Sequence, residues 1–310
     1  MDKLLIAVPV RQNHKEMIEA AVDGRMEIVY SEDPKDVKGS KIIVGEPEVS
    51  DVNDAVDTLQ WVHMTWAGTD KFSLNDDFPN DKVKFSNIRG VYGTIISEYV
   101  IGAILSICRR FPKYLLNKQQ ALWQDEGAEG TLEKKTIVIL GAGNVGGTIA
   151  KKLKAFDTYN IAFGLEDFVP EGFDEIHKMD ELHTYLPKAD VLVCCLPGIG
   201  TAHLIGEKEL RLLKKDAILV NSGRGTLIDN LALAKFMKEG NLLGAALDVT
   251  DPEPLPEDHL LWTIENLIIT PHVAGPSFEH CPLTEDKIIA QVSKNIKEYL
   301  DNGKLMNVCN

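Results

Sequence analysis

Short runs of consecutive apolar residues recur along the chain, separated by stretches whose apolar residues return every three or four positions. "LLIAVPV" (4–10), "MEIVY" (26–30), "KIIVG" (41–45) and "WVHMT" (61–65) have the length and β-branched content of buried strands. "HKEMIEAAV", between the first two, and "VNDAVDTL", before the fourth, carry helical spacing, so the segment predicts a small parallel βα sheet. Residues 94–122 predict a long helical region interrupted at Pro112. Its 99–108 portion, "YVIGAILSIC", is apolar on every face and must be buried or pressed against another subunit. A second βα series follows: "TIVILG" (136–141), "YNIAFG" (159–164), "VLVCCLP" (191–197), "AILVNSG" (217–223), "GAALDVT" (244–250) and "NLIITPH" (266–272). Helical stretches such as "LALAKFMKEG" (231–240) lie between them, and "DKIIAQVSKNIKEYLDNG" predicts a final helix that returns to the first domain. The pattern is α/β, two domains with parallel sheets.

Composition narrows this picture more than it adds to it. At 310 residues the chain is long enough for two domains sharing a cleft. The formal net charge of −14 argues against a nucleic-acid partner, which needs clustered Lys and Arg. No apolar run approaches the ~20 residues of a membrane span. "MDKLLIAVPV" reads as a buried strand rather than a secretory leader, since its apolar run is short and no small-residue cleavage site follows. Five cysteines form no C-x-x-C pair, and the histidines show no ligand spacing, so a metal centre is not expected. Cys194 and Cys195 are adjacent within one strand and should face opposite sides. Reduced thiols and a cytoplasmic location are the expectation.

In open parallel sheets ligands bind at the carboxyl ends of the strands, and there the unusual residues gather. "GAGNVG" (141–146) fits G-x-G-x-x-G between a strand and a helix. Gly141 permits the tight turn, Gly143 lets the backbone approach a pyrophosphate, and Gly146 allows the helix to pack on the strand. The amides of Asn144 and Val145, at the helix start, complete a phosphate cradle. Leu196, Pro197 and Ser222 stand at two further strand ends. The acidic residue that would hold the adenosine ribose is displaced: Gly164 ends the second strand, and Glu166 and Asp167 follow. These two either hold the ribose or form a solvated loop, so NAD and NADP both remain open, with NAD favoured by the lack of a nearby Lys or Arg.

Arg224 lies in "VNSGRGT" (220–226). Alone, such an arginine is a solvated turn residue; in this series its planar fork suits a carboxylate, and the flanking glycines are expected to let the backbone turn toward the cleft. His272 follows the last strand and can exchange a proton near neutral pH; a structural histidine is the other reading, and His280 is a nearby rival. Glu253, in a loop with Pro252, Pro254 and Pro256, could hold the imidazole and favour its charged form, or be part of a solvated acidic loop.

Together "WVHMTWAGTD", "GVYGTIISEYVIGAIL", "GAGNVGGTIA", "LVCCLPGIGTAHLI", "ILVNSGRGTLID", "GAALDVTDPEPLP" and "NLIITPHVAGPS" resemble the D-isomer-specific 2-hydroxyacid dehydrogenase family, from about residue 60 to the C-terminus. The resemblance implies two Rossmann-like/flavodoxin-like domains with a cleft between them. The first, substrate-binding, is discontinuous (1–95 plus 275–310), and the second (96–274) binds the dinucleotide. It implies NAD(P)-dependent reduction of a 2-keto acid to a D-2-hydroxy acid, with Arg224, Glu253 and His272 catalytic. Asp248 is implied to hold the nicotinamide carboxamide, and the backbone near Trp66, Ala67 and Gly68 to grip the substrate carboxylate. The family's NAD-selecting aspartate falls on Gly164, a departure. Homodimers through the 94–122 region are a further implication. Two other readings stand beside it. A formate-dehydrogenase-like enzyme is disfavoured by the carboxylate at Glu253, and a cofactor-sensing regulatory protein is disfavoured by retention of all three catalytic residues. The particular keto acid is not readable.

Overall fold

A computed structural model describes residues 1–198, 200–276 and 278–310; Ile199 and Ser277, which fall in two of the quoted motifs, lie outside the described residues. The chain divides into two compact units, Met1–Tyr92 with Pro276–Asn310, and Gly93–Gly275.

The first unit runs β1 (Lys3–Ile6), α1 (Gln12–Val22), β2 (Glu27–Tyr30), β3 (Ser40–Val44), α2 (Val49–Asp54), β4 (Trp61–His63), α3 (Asp70–Ser73) and β5 (Lys84–Ser86). The five strands are all parallel, in the order β2-β1-β3-β4-β5. Alternate residues serve opposite faces, as the strand period requires. Leu5, Ile43, Val62 and Phe85 face a core closed by Phe72 and Phe78, whose rings sit 4.7 Å apart.

The second unit runs α4 (Gly93–Cys108), α5 (Phe111–Gln119), β6 (Thr136–Leu140), α6 (Asn144–Leu153), β7 (Tyr159–Phe163), β8 (Glu175–His177), α7 (Leu182–Tyr185), β9 (Val191–Cys194), α8 (Glu207–Leu210), β10 (Ile218–Asn221), α9 (Asn230–Lys238), β11 (Gly244–Leu247) and β12 (Leu267–Ile269). Its seven parallel strands are ordered β12-β11-β10-β9-β6-β7-β8. The order reverses between β6 and β9, the place where doubly wound sheets open a crevice for a ligand. Both faces are covered. Val138, Leu140, Leu192, Cys194 and Leu219 join one apolar cluster; Ile137, Ile139, Val191, Val193 and Ile218 join the other. Cys194 and Cys195 divide between these clusters, and all five cysteines are free. On the second face α4 packs on α6 and buries Val100, Ile104 and Ile107, each worth ~1.5–3 kcal/mol relative to exposure.

After β12, α10 (Pro282–Asn302) packs against α1 in the first unit. Its Tyr299 ring lies 5.3 Å from that of Trp61.

Two strands escape the hydrophobic pattern, β5 and β8, each three residues long at a sheet edge. So short a segment carries no full alternation. The break in the long helical region also differs from expectation. It falls at Arg109 and Arg110, with Arg110 left-handed at φ 57°, and Pro112 stands in the first turn of α5, where its missing N–H is no loss.

Among the described residues no helix is long and apolar enough to cross a membrane.

Candidate active site

Because every strand of the second sheet is parallel, the loops after β6, β7, β9, β10, β11 and β12 emerge along one edge. The glycine-rich loop comes first. Gly141 is left-handed at φ 110°. A Cβ on Gly146 would lie 1.9 Å from the Gly141 carbonyl oxygen, so only glycine lets α6 pack so closely on β6. Around Gly143 a Cβ would meet nothing within 4 Å, leaving that backbone open. Gly143 caps α6 without a side-chain bond, so the first-turn amides face outward from a positive dipole end. The Asn144 side chain is occupied elsewhere, accepting from the Gly93 amide at 3.1 Å. Its part, and that of Val145, in binding a ligand falls to the backbone.

At the end of β7 a Cβ on Gly164 would lie 2.4 Å from Glu166 Oε2 and 2.9 Å from the Ala142 Cβ. Glu166 therefore folds back into the room that a side chain at 164 would take, beside the glycine-rich loop. Its Oε2 is buried without a hydrogen-bond partner. Asp167 instead points outward to the Lys178 ammonium at 2.8 Å, which holds its carboxyl below the usual range. An orphaned buried carboxylate oxygen beside an open phosphate loop fits a ribose hydroxyl donor, so the residues present suit a dinucleotide.

After β9 and β10 two loops interlock. Ser222 donates its amide to the Cys194 carbonyl at 3.0 Å, and a Cβ on Gly223 would lie 2.7 Å from the Leu196 carbonyl oxygen. Leu196 packs on the apolar core, and the Pro197 carbonyl accepts from Thr201 at 2.5 Å. Asn221 braces the turn, donating to the Arg224 carbonyl at 2.9 Å and accepting from the Gly223 amide at 3.1 Å. The glycines flanking Arg224 thus serve a purpose other than the expected backbone freedom. Neither has a positive φ, and a Cβ on Gly225 would lie 1.8 Å from the Thr250 carbonyl oxygen. They permit close approach of backbones. Arg224 itself is half-buried and extended at φ −136°, and it donates from Nη1 to the Gly223 carbonyl at 2.8 Å.

The close approach of Gly225 to the Thr250 carbonyl links Arg224's loop directly to the one after β11. The Thr250 amide donates to Glu253 Oε1 at 3.1 Å, and Glu253 Oε2 lies 3.0 Å from His272 Nδ1. His272 sits in the left-handed region at φ 56°, an uncommon place for a non-glycine residue. Asp248 holds it there. Buried to 2% exposure, its carboxylate accepts from Thr270 Oγ1 at 2.7 Å, the Val273 amide at 2.8 Å and the Ala274 amide at 2.9 Å. Its backbone carbonyl accepts from the His272 amide at 2.8 Å. Asp248, expected to meet the nicotinamide, shapes the histidine loop. Tyr99 extends the chain at 2.7 Å from Thr270 Oγ1, and burial pushes its hydroxyl up to about 12. The loop-shaping roles of Asn221, Asp248 and Thr270 have no motif of their own; they show only once the strand ends are brought side by side.

Arg224, Glu253 and His272 thus belong to one run of touching loops. The rival His280 lies in the other unit, bonded to the Phe278 carbonyl at 2.8 Å. Trp66, Ala67 and Gly68 are also in that other unit, in the loop after β4. Trp66 is 49% exposed. Among the described residues no three His, Cys, Asp or Glu side chains converge as a metal site would require.

Residues 101–274 match the D-isomer specific 2-hydroxyacid dehydrogenase, NAD binding domain. A glyoxylate reductase of Thermofilum pendens is 32% identical over 84% of this chain and 79% of its own. A D-3-phosphoglycerate dehydrogenase of Methanocaldococcus jannaschii is 28% identical over 100% of this chain, which spans 60% of that protein. The crystal structure of a D-isomer specific 2-hydroxyacid dehydrogenase family protein from Aeromonas salmonicida superposes with a TM-score of 0.86 at 30% identity, covering 100% of this chain and 99% of that one. The chain belongs to the D-isomer specific 2-hydroxyacid dehydrogenase family, and its second unit carries the family's NAD-binding domain.

Proposed function

We propose that the protein reduces a small 2-keto acid to the D-2-hydroxy acid, with the unit Met1–Tyr92 plus Pro276–Asn310 as its substrate-binding domain. The 3.0 Å contact between His272 Nδ1 and Glu253 carries this reading. It fixes the ring so that Nε2 is the atom free to give a proton, and the donors around Asp248 fix the loop that presents it. His272 donates a proton from Nε2 to the substrate's carbonyl oxygen as charge develops there, while Glu253 holds the ring at Nδ1. Arg224 holds the substrate carboxylate and polarises the carbonyl. The amides of Ala67 and Gly68, in the substrate-binding domain, are a grip for a substrate carboxylate. A bound nicotinamide supplies the hydride.

The α6 amides and Gly143 hold the pyrophosphate, and Glu166 Oε2 accepts from the adenosine ribose. A carboxylate at that point repels a 2′-phosphate, so NADH is preferred to NADPH. A small keto acid, glyoxylate for instance, is favoured by the Thermofilum pendens relative.

The test is a panel of keto acids against both cofactors, followed at the nicotinamide absorbance, with direct titration of each cofactor. Turnover with NADH is expected to exceed that with NADPH. His272→Ala should lower kcat by ~10²–10⁴-fold, the usual worth of a positioned general acid, with NADH binding retained. Near-normal turnover in that variant would overturn the assignment.

We also infer a homodimer formed through α4, α5 and the segment that follows. Phe111, Leu115, Leu116 and Trp262 are exposed around a groove of about 740 Å³, and Trp123 is exposed in the segment that follows α5. Such a continuous apolar surface marks an interaction site.

A further inference from the structure

The loop that follows β4 in the first unit is tied at nearly every peptide. Its carbonyls are held from one side: Thr65 O accepts from the Tyr92 hydroxyl at 2.8 Å, Trp66 O from the Ile88 amide at 3.2 Å, and Ala67 O from Asn87 Nδ2 at 2.6 Å. Its first two amides are held from the other side by a single carboxylate. Glu46 Oε1 accepts from the Thr65 amide at 2.5 Å and from the Trp66 amide at 3.1 Å; the Thr65 hydroxyl adds bonds of 3.0 and 3.1 Å to its two oxygens. The next two amides differ. Among the described residues no acceptor lies on the N–H groups of Ala67 and Gly68. With three carbonyls of the loop taken by donors from residues 87–92, its two successive amides without an acceptor can serve an anion.

Glu46 reaches this loop because Gly45 precedes it. Gly45 is left-handed at φ 133°, and a Cβ there would lie 2.9 Å from the Ala7 carbonyl oxygen. The chain therefore leaves β3 along a path open only to glycine, and the next side chain turns in under β4's loop. Lys71 ties down the same corner, donating to the Glu46 carbonyl at 2.8 Å and to Glu48 at 2.9 Å.

We propose that Glu46 is a positioning residue for the substrate carboxylate: by taking the Thr65 and Trp66 amides, it sets the loop so that the Ala67 and Gly68 amides stand open to that anion. This rests on the reading of those two amides as the carboxylate grip. A carboxylate is suited to the task because it accepts several donors at once and charge-assisted bonds are the strong ones. Glu46 does not touch the substrate; it acts through the backbone.

The test uses the full chain with NADH bound and oxamate, an unreactive 2-keto acid analogue, as probe. Glycine and alanine labelled with ¹⁵N report the Ala67 and Gly68 amides while oxamate affinity and NADH affinity are measured separately. In the unaltered protein both amides should shift saturably. Glu46→Ala should weaken oxamate at least about tenfold, as loss of a charged hydrogen-bond acceptor does, and raise the keto-acid KM alike. NADH affinity should stay within about twofold of normal, since that site lies in the other unit. Isosteric Glu46→Gln, which keeps one acceptor oxygen, should fall between the two and serves as the measurement if the alanine variant does not fold. Saturable amide shifts together with unchanged oxamate affinity in Glu46→Gln and Glu46→Ala would overturn the positioning role while leaving the carboxylate grip intact. Absence of any shift at Ala67 and Gly68 in the unaltered protein would overturn the grip, and the proposal with it.

Discussion

His63, on β4, is fully buried between its Trp61 neighbour, stacked at 5.2 Å, and the polar side chains of Ser86 and Asn295. Burial drives its imidazole down to about 4, so the folded protein keeps it neutral where the unfolded chain, at its ordinary 6.5, has begun to bind a proton. Stability is therefore unimpaired by this group above the unfolded value and falls as pH drops from there toward the folded value. The full loss is about 3 kcal/mol, of which about 2 is reached by roughly pH 5. Denaturant unfolding compared near pH 7 and pH 5 should show that difference, and His63→Gln, which cannot take the proton, should remove most of it. An equal pH dependence in the variant would rule His63 out as the cause. The sequence marks His63 only as a residue of a strand. By contrast Arg224, Glu253 and His272 are legible from chemistry at strand ends, yet the purpose of the glycines beside Arg224 is not. Their reason is a neighbouring backbone, and which backbone lies alongside is not local information.

The element scale shows the same division. Long buried strands such as β6 and β9 announce themselves, and the edge strands β5 and β8 do not, because three residues leave no periodicity to read. Loops are coupled across elements through close backbone approach. Gly225 against Thr250 joins the loop after β10 to the one carrying Glu253. Gly225→Ala must push that carbonyl away, an overpacking that costs ~1–3 kcal/mol, and should displace Glu253 as well. A lowered melting temperature together with a reduced kcat is the expected outcome, with NADH affinity little changed. A variant as stable and as active as the parent would show that the two loops move apart freely.

At the scale of the whole molecule, the dimer proposed above rests on the apolar surface around α5, where Leu115 is 62% exposed, and on Trp123 beyond that helix, which is fully exposed. Sedimentation should give about twice the 34.3 kDa chain mass at micromolar concentration, and Leu115→Asp should shift the population toward single chains. A compact particle of one chain mass in the unaltered protein would dispose of the dimer. The 99–108 portion of α4, apolar on every face in sequence, left burial and subunit contact open; its packing on α6 and the sheet accounts for one side of it.

The sequence alone determined the α/β class, the parallel strands, the family and the three side chains expected to do the chemistry. The family came from the resemblance of seven quoted stretches, and the rest is written in local patterns: apolar runs, helical spacing, glycines between strand and helix, and a charged residue where a strand ends. Tertiary structure decided which partner each residue meets. It turned Glu166 rather than Asp167 toward the glycine-rich loop, bound Asp248 to the histidine's own loop, and drew Glu46 beneath the loop of Trp66, twenty positions onward. Those outcomes depend on strand order and on which backbones touch, and a one-dimensional pattern carries neither.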